Sequence, residues 1–263
     1  MNIRPLQCVI ILSVAVSVGC QTSNQPKSST EVKEIAPGLL QGYLSREELP
    51  NSLTLVGPPP EEGSAGYLLD QDYATKAVAS KDTDTARFSL AARDAYLYFP
   101  EAALSFQSTV GVEISEAKTP RLYMLMRRVL TDAALSTAAA KNHYKRKRPF
   151  VVNNTTTCTP ADEELLRKDG SYPSGHTAIG WAWALVFTEV FPAKTDAILK
   201  RGYEFGESRV FCNVHWHSDV VAGRLVGAAA VARLHASSAF QHDLAAARRE
   251  IEKLTAGSGI GNE

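Results

Sequence analysis

Charge of one sign is missing from this sequence. Across 263 residues, 28 Lys and Arg balance 28 Asp and Glu. Binding a phosphate backbone needs a basic excess, so nucleic acid is excluded as the main partner; a local anion site is not. Long apolar runs are missing too. Ala178–Phe191 spans only 14 residues and contains Glu189, while Val220–Leu234 contains Arg224 and Arg233. A spanning helix needs about 20 apolar residues, so neither reads as one, and the body of the chain is expected to be soluble. No run alternates with period two, and no Asn-Gly or Asp-Gly pair joins two strand-like runs, which argues against β-hairpins. Neither a Cys cluster nor a His-Glu-x-x-His motif occurs, so the common zinc patterns are absent. The hydrophobic and charged fractions, 44% and 21%, are those of a globular chain and exclude global disorder.

Cysteine is scarce: Cys8, Cys20, Cys158 and Cys212. The first two belong to a leader. Met1–Arg4 is a short positive stretch, Leu6–Val18 an apolar run too short to span, and small residues precede Cys20. Residues 1–19 therefore read as a bacterial export signal. A Cys after the small residue also resembles a lipoprotein signal, in which Cys20 is lipidated and becomes the mature N-terminus. Gln21 after it favours the outer membrane, by the same likeness. Plain secretion is the alternative. Cys158 and Cys212 remain as an even pair in an oxidising compartment, which predicts a disulfide; two buried thiols are the other reading.

Residues 20–40 are rich in Ser, Thr, Gln and Lys and read as a flexible tether. Residues 41–255 read as one all-α domain. Ser64 can cap a helix carrying Tyr67, Leu68, Tyr73 and Ala77, and a second pattern covers Asp82–Tyr98. Pro100 opens Glu101–Phe106, and Thr119-Pro120 opens the longest pattern, which runs to about Lys147 before Pro149 stops it. Further helices are expected over Ala161–Lys168, Gly175–Val190, Ala193–Arg209 and His217–Leu254, with a frayed tail from residue 256.

Three segments concentrate polar chemistry. Lys141 and Arg148 are seven residues apart and would share a helix face. Pro173-Ser174-Gly175-His176 leads into an apolar helix. A helix N-terminus offers N–H groups to an anion, Gly175 lets the anion approach the backbone, and Ser174 adds a hydroxyl. Ser208-Arg209 is followed by His215 and Asp219, whose spacing of four stacks them in helical geometry. The carboxylate can then take the Nδ1 hydrogen and leave Nε2 as a nucleophile. Each segment alone has a plain reading: a solvated basic face, a simple N-cap, an ion pair. A zinc site could be drawn from His176, His215, His217 and Asp219, but His215-x-His217 needs an extended segment where His215 and Asp219 need a helix.

Taken in order, Lys-x6-Arg-Pro, Pro-Ser-Gly-His and Ser-Arg-x5-His-x3-Asp resemble the signature of the type 2 phosphatidic acid phosphatase superfamily. The stretches Gly57–Ser64, His143-Tyr144, Arg148–Phe150, Gly170–Gly180 and Arg201–Glu204 narrow the likeness to bacterial class A nonspecific acid phosphatases over about residues 53–244. The resemblance implies an all-helical single-domain bundle that hydrolyses small phosphomonoesters with broad specificity, without a cofactor or metal, as a homo-oligomer. It implies that Lys141, Arg148, Ser174, Gly175 and Arg209 bind phosphate, that His215 attacks phosphorus, that Asp219 orients its ring and that His176 protonates the leaving group. Phosphotransfer to other alcohols would follow from the same intermediate. Vanadium haloperoxidases share this cradle, and a non-catalytic phosphate-binding lipoprotein would keep its cations; phosphatase and halide-oxidation assays separate the three.

Overall fold

One helix that is apolar nearly all round must lie inside a bundle, and Gly175–Val190 is that helix. The computed structural model describes residues 25–257. The leader, Cys20 and the tail from residue 258 lie outside the described residues. Two short antiparallel strands come first, β1 (Glu34–Ala36) and β2 (Leu39–Leu40). Helices follow in the order α1 (Ser52–Leu55), α2 (Ala65–Ser80), α3 (Thr85–Asp94), α4 (Leu104–Val110), α5 (Pro120–Ser136), α6 (Ala138–Tyr144), α7 (Pro149–Val152) and α8 (Glu163–Leu166). The chain closes with α9 (Gly175–Val190), α10 (Thr195–Phe211), α11 (His217–Leu234) and α12 (Ser238–Gly257). The fold is predominantly helical, as the periodicity and the resemblance implied.

Helix α9 is the hub, packed by α5, α10, α11 and α12. Its buried side chains include Ala178, Ile179, Trp183, Val186 and Phe187, and the indole of Trp183 donates to the Met126 carbonyl of α5 at 2.8 Å. The helices meet closely where glycines face them. A Cβ on Gly223 would stand 2.6 Å from the Ser174 carbonyl oxygen, and one on Gly227 would stand 2.5 Å from that of Ala178. The α11 backbone can therefore lie directly against the first turns of α9.

Several boundaries differ from the sequence reading. The long pattern from Thr119 to Lys147 breaks at Thr137. There the Ser136 and Thr137 hydroxyls donate back to the Asp132 and Ala134 carbonyls at 2.7 Å, a bond that competes with the helical ladder. Lys145 then takes a left-handed conformation, φ 44°, so Lys141 and Arg148 do not share a helix face. The last helix also divides, because the Ser237 hydroxyl accepts from the Phe240 N–H and starts a new turn. Asp82–Tyr98 shortens to α3, which Asp84 caps by accepting from the Arg87 N–H. The strands were not expected; Gly38, at φ 75°, makes the turn between them.

Residues 25–40, read as part of a solvated tether, lie along α5 instead. Arg121 donates to the Pro26 carbonyl, Arg127 to the Ser29 hydroxyl and the Gly38 carbonyl, and Thr131 to the Leu40 carbonyl. Composition missed this because the anchoring is polar and its donors sit nearly a hundred residues away. Asp132 completes the anchor by accepting the Tyr43 N–H at 2.7 Å and the Leu44 N–H at 3.3 Å.

Burial pushes the Asp132 carboxyl up from 3.8 to about 6, against these hydrogen bonds. A carboxyl raised on folding favours the protonated form. Its contribution is present at low pH and lost as pH rises through about 4 to 6. Asp132→Asn removes that dependence. Thermal unfolding across this window should shift in the variant's favour as pH rises, by on the order of 3 kcal/mol. A constant difference between the two proteins would show that Asp132 stays ionised throughout.

Candidate active site

Four chain segments converge at the α9 N-terminus. Ser174 caps it: its oxygen accepts from the Thr177 N–H at 3.3 Å and from the Thr177 hydroxyl at 2.9 Å. With both contacts accepted, the Ser174 hydrogen is left to donate. Its own N–H donates to the Asp219 carbonyl at 2.9 Å, which ties the first turn of α9 to the first turn of α11. Gly175 opens the helix with side-chain space beside it, since a Cβ there would meet only Thr137, at 3.7 Å.

The α10 C-terminus and the turn after it supply the second group. Asn213 takes φ 60°, and the Val214 and His215 N–H groups turn back to the Arg209 carbonyl at 3.2 and 3.3 Å. That turn places Arg209 and His215 together. The disulfide between Cys158 and Cys212, expected from the sequence, pins it from outside, with Cα atoms 4.7 Å apart. Ser208 points away: its hydroxyl donates to Asp94 at 2.6 Å, and Asp94 also holds Arg201, so the motif serine locks α10 onto α3.

His215 is buried, and both ring nitrogens are engaged. Nδ1 lies 3.3 Å from Asp219 Oδ2, and Nε2 lies 3.1 Å from Arg148 Nη1. A guanidinium can only donate. Nε2 therefore carries the lone pair, and Nδ1 carries the hydrogen that faces Asp219. His215 precedes α11 rather than sitting on it, so the expected helical stacking is replaced by a helix cap. Asp219 lies in the first turn and accepts the Trp216 N–H at 2.9 Å. Burial first, then the charges of Arg148, Lys141 and Arg209, hold His215 well below the usual imidazole range. It is thus neutral even in mild acid.

His176 lies on the first turn of α9. Its Nε2 is 3.0 Å from the Ala95 carbonyl oxygen, which can only accept, so Nε2 bears hydrogen and Nδ1 is the nitrogen left for proton exchange. Burial and then the repulsion of Arg209 depress His176 as well.

The cations are buried to different ends. Arg148 is heavily engaged, donating to the Leu166 and Val214 carbonyls at 3.0 Å and to Asp169 at 3.1 Å, with a second Nη2 hydrogen left over. Lys141 donates to the Gly170 carbonyl at 2.7 Å and lies 3.5 Å from Asp169. Both thus reach the site despite the broken helix. Arg209 is the contrast: its Nε and Nη1 are buried and meet no acceptor. Burial and the neighbouring charge of Arg148 pull it down to about 9. Buried donors in this state call for an anion.

His217 stands apart, its ring stacked on Tyr73 at 4.0 Å. Among the described residues no group of three or more His, Cys, Asp or Glu is placed to hold a metal ion. The sequence reading passed over Asp169, Arg146 and Asp70. Arg146 was visible inside the basic run but undistinguished from its neighbours, and Asp70 sits in a helix with no motif.

These groups gather an imidazole, buried cations and a helix N-terminus on a predominantly helical frame. A profile of the PAP2 superfamily matches residues 122–242. Non-specific acid phosphatases of Providencia stuartii and Salmonella typhimurium are 45% and 43% identical over 213 residues, 81% of this chain and 85% and 84% of theirs. The acid phosphatase of Zymomonas mobilis is 39% identical over 76% of this chain and 75% of its own. The chain belongs to the PAP2 superfamily. Within it the chain is an acid phosphatase, a phosphomonoester hydrolase.

The disulfide spans 54 residues, a closure worth about 4 kcal/mol in chain-entropy terms. Replacing both cysteines by alanine should lower the melting temperature and weaken inhibition by inorganic phosphate, because the Arg209–His215 turn loses its outer tie. Unchanged phosphate inhibition would mean that the turn holds its shape without the bond.

Proposed function

We propose that the chain hydrolyses phosphomonoesters of broad structure through a phosphohistidine on His215. The observation that carries this reading is the fixed tautomer: Nε2 has its lone pair beside Arg148, and Nδ1 hydrogen faces Asp219. In the first step Nε2 bonds to phosphorus and the ester P–O bond breaks. The leaving oxygen takes a proton from Nδ1 of His176. Asp219 balances the charge that the phosphorylated ring gains. In the second step His176 removes a proton from water, the water oxygen bonds to phosphorus, and the P–N bond breaks to restore neutral His215. Arg209, with its two uncommitted donors, Lys141, Arg148, the Ser174 hydroxyl and the Gly175 N–H would hold the equatorial oxygens. Alcohols in place of water would receive the phosphoryl group by the same second step. We place the enzyme outside the cytoplasm, held at the outer membrane by a lipid on Cys20. The leader sequence supports this, as does a disulfide that needs an oxidising compartment.

The acid optimum follows from the two histidines. His215 must be neutral and His176 protonated in the same complex. Burial and then the cations favour the neutral form of the first, while an entering phosphate dianion raises the second. Activity should therefore be greatest in acid and fall as pH rises and His176 loses its proton.

His215→Ala should abolish turnover and keep the fold, and acid quench of the wild-type enzyme with labelled substrate should leave label on His215. Label on a serine or an aspartate would reject the mechanism. His176→Ala should damage alkyl phosphates by about 10²–10⁴-fold and p-nitrophenyl phosphate much less, since nitrophenolate departs without a proton. Equal losses on both substrates would remove His176 from the donor role.

A further inference from the structure

A third arginine stands at this site beside Arg148 and Arg209, its side chain largely covered, and none of the steps above uses it. Arg146 lies two residues before Arg148, in the irregular segment that follows the left-handed Lys145. The two arginines grip opposite ends of one side-chain pair. Arg148 meets Nε2 of His215, and Arg146 Nη1 donates to Asp219 Oδ1 at 2.7 Å. The other Asp219 oxygen faces His215 and the Trp216 N–H.

Arg146 is itself fixed. Its Nη2 donates to Asp70 Oδ2 at 2.8 Å, its Nη1 also reaches the Ser218 hydroxyl at 2.8 Å, and its guanidinium lies over the Trp216 ring at 5.2 Å. Asp70 comes from α2, outside all three motif segments, and is buried. It also accepts the Ser218 N–H at 2.8 Å and the Ser218 hydroxyl at 2.6 Å. Asp70 therefore joins α2 to the first turn of α11, with Arg146 clamped between two buried carboxylates.

We propose that Arg146 and Asp70 are positioning residues for the phosphoryl-transfer pair, forming a chain Asp70–Arg146–Asp219–His215 that aims Asp219 and keeps it ionised. The proposal rests on the reading of His215 as nucleophile and Asp219 as its partner. Neither residue is placed in the phosphate cradle: Arg146 turns both Nη1 hydrogens to Asp219 and Ser218 and donates through Nη2 to Asp70.

The electrostatics give the chain a specific task. Burial pushes the Asp219 carboxyl up, and Arg146 is the strongest influence pulling it back. The other titratable groups that face Asp219 are His215 at 3.3 Å, Arg148 and Lys141 from the basic segment, Tyr172 from the loop before α9, and Asp70 behind Arg146. An enzyme that works in acid must keep Asp219 ionised there. A protonated Asp219 cannot balance the charge of phosphohistidine. Without the Arg146 charge, the Asp219 carboxyl rises, and activity disappears first at the acid end.

The test is kcat and KM on p-nitrophenyl phosphate from pH 4 to 8, with kcat expressed per folded molecule. Arg146→Gln should lower kcat about 10- to 100-fold, the usual scale for a group that orients a reacting side chain. KM should change little, and the acid limb of kcat should move up by about one pH unit or more. Arg146→Lys keeps the charge and loses the fork. It should return the acid limb toward wild type and recover part of kcat. Asp70→Asn keeps the shape and frees Arg146 from one partner, so it should lower kcat with no upward move of the acid limb. Should Arg146→Gln fail to fold, the other two variants decide by the same measurements.

A wild-type acid limb and wild-type kcat per folded molecule in these variants, with only the melting temperature lowered, would make the chain a purely structural tie and overturn the proposal. A raised KM at unchanged kcat would overturn it too, by making Arg146 a phosphate ligand. Acid-quench labelling of the wild-type enzyme runs alongside. Label absent from His215 rejects the underlying mechanism, whereas label present on His215 with an unmoved acid limb in Arg146→Gln, or with wild-type kcat in every folded variant, rejects the positioning chain alone.

Discussion

The structure depends on burying positive charge that the protein itself does not neutralise. Arg148 and Lys141 share one half-exposed carboxylate, Asp169, and Arg209 has none within reach. Taking such charges out of water is expensive, and an uncompensated one is worse. The fold meets the cost with carbonyls from Leu166, at the end of the one-turn α8, and from Gly170 and Val214 in turns, rather than from a long helix. What remains unmet is a set of donors of the right sign for a phosphate. The same excess adds to the burial that holds His215 well below the usual imidazole range, so the cations that bind the anion also favour the neutral nucleophile.

The apolar architecture serves that charge. Helix α9 can end at the site only because its remaining turns are buried among α5, α10, α11 and α12. Its N-terminus is then held against α11 by the Ser174 N–H bond to the Asp219 carbonyl and by the glycine contact beneath it. Asp219 is thereby placed twice, through its backbone by α9 and through its carboxylate by Arg146 and the Trp216 N–H. A shift of α9 against α11 would move the anion-binding helix end and the His215 partner together. This explains why the contact is made through glycine and not through larger side chains.

The sequence carried the helices and the three chemical segments clearly, because both are written in local patterns. Apolar spacing marked α2, α5, α9 and α10, and the helix start at Ser174 was legible from Pro-Ser-Gly-His. The route by which Lys141 and Arg148 meet was not legible. A seven-residue spacing suggested one helix face, yet hydroxyl back-bonds at Ser136 and Thr137 and the turn at Lys145 bring them together through Asp169. The N-terminal segment was misread for a related reason. Its polar composition is that of a tether, but its partners are arginines and carboxylates on α5 that no local window includes.

Asp70 marks the limit of local reading most sharply. Nothing in the α2 pattern distinguishes it from the exposed Asp72 two positions on, which pairs with Lys76 at the surface. Burial separates them: one carboxylate answers to solvent and contributes little, while the other answers to Arg146 and Ser218 inside the protein. A buried carboxylate that lost Arg146 would be left uncompensated, and Asp219 would be left so at the same moment. The two acids therefore share a single cation across three segments of chain. That sharing couples the packing of α2 to the state of the carboxylate beside His215, a dependence that no single motif contains and that only the folded chain creates.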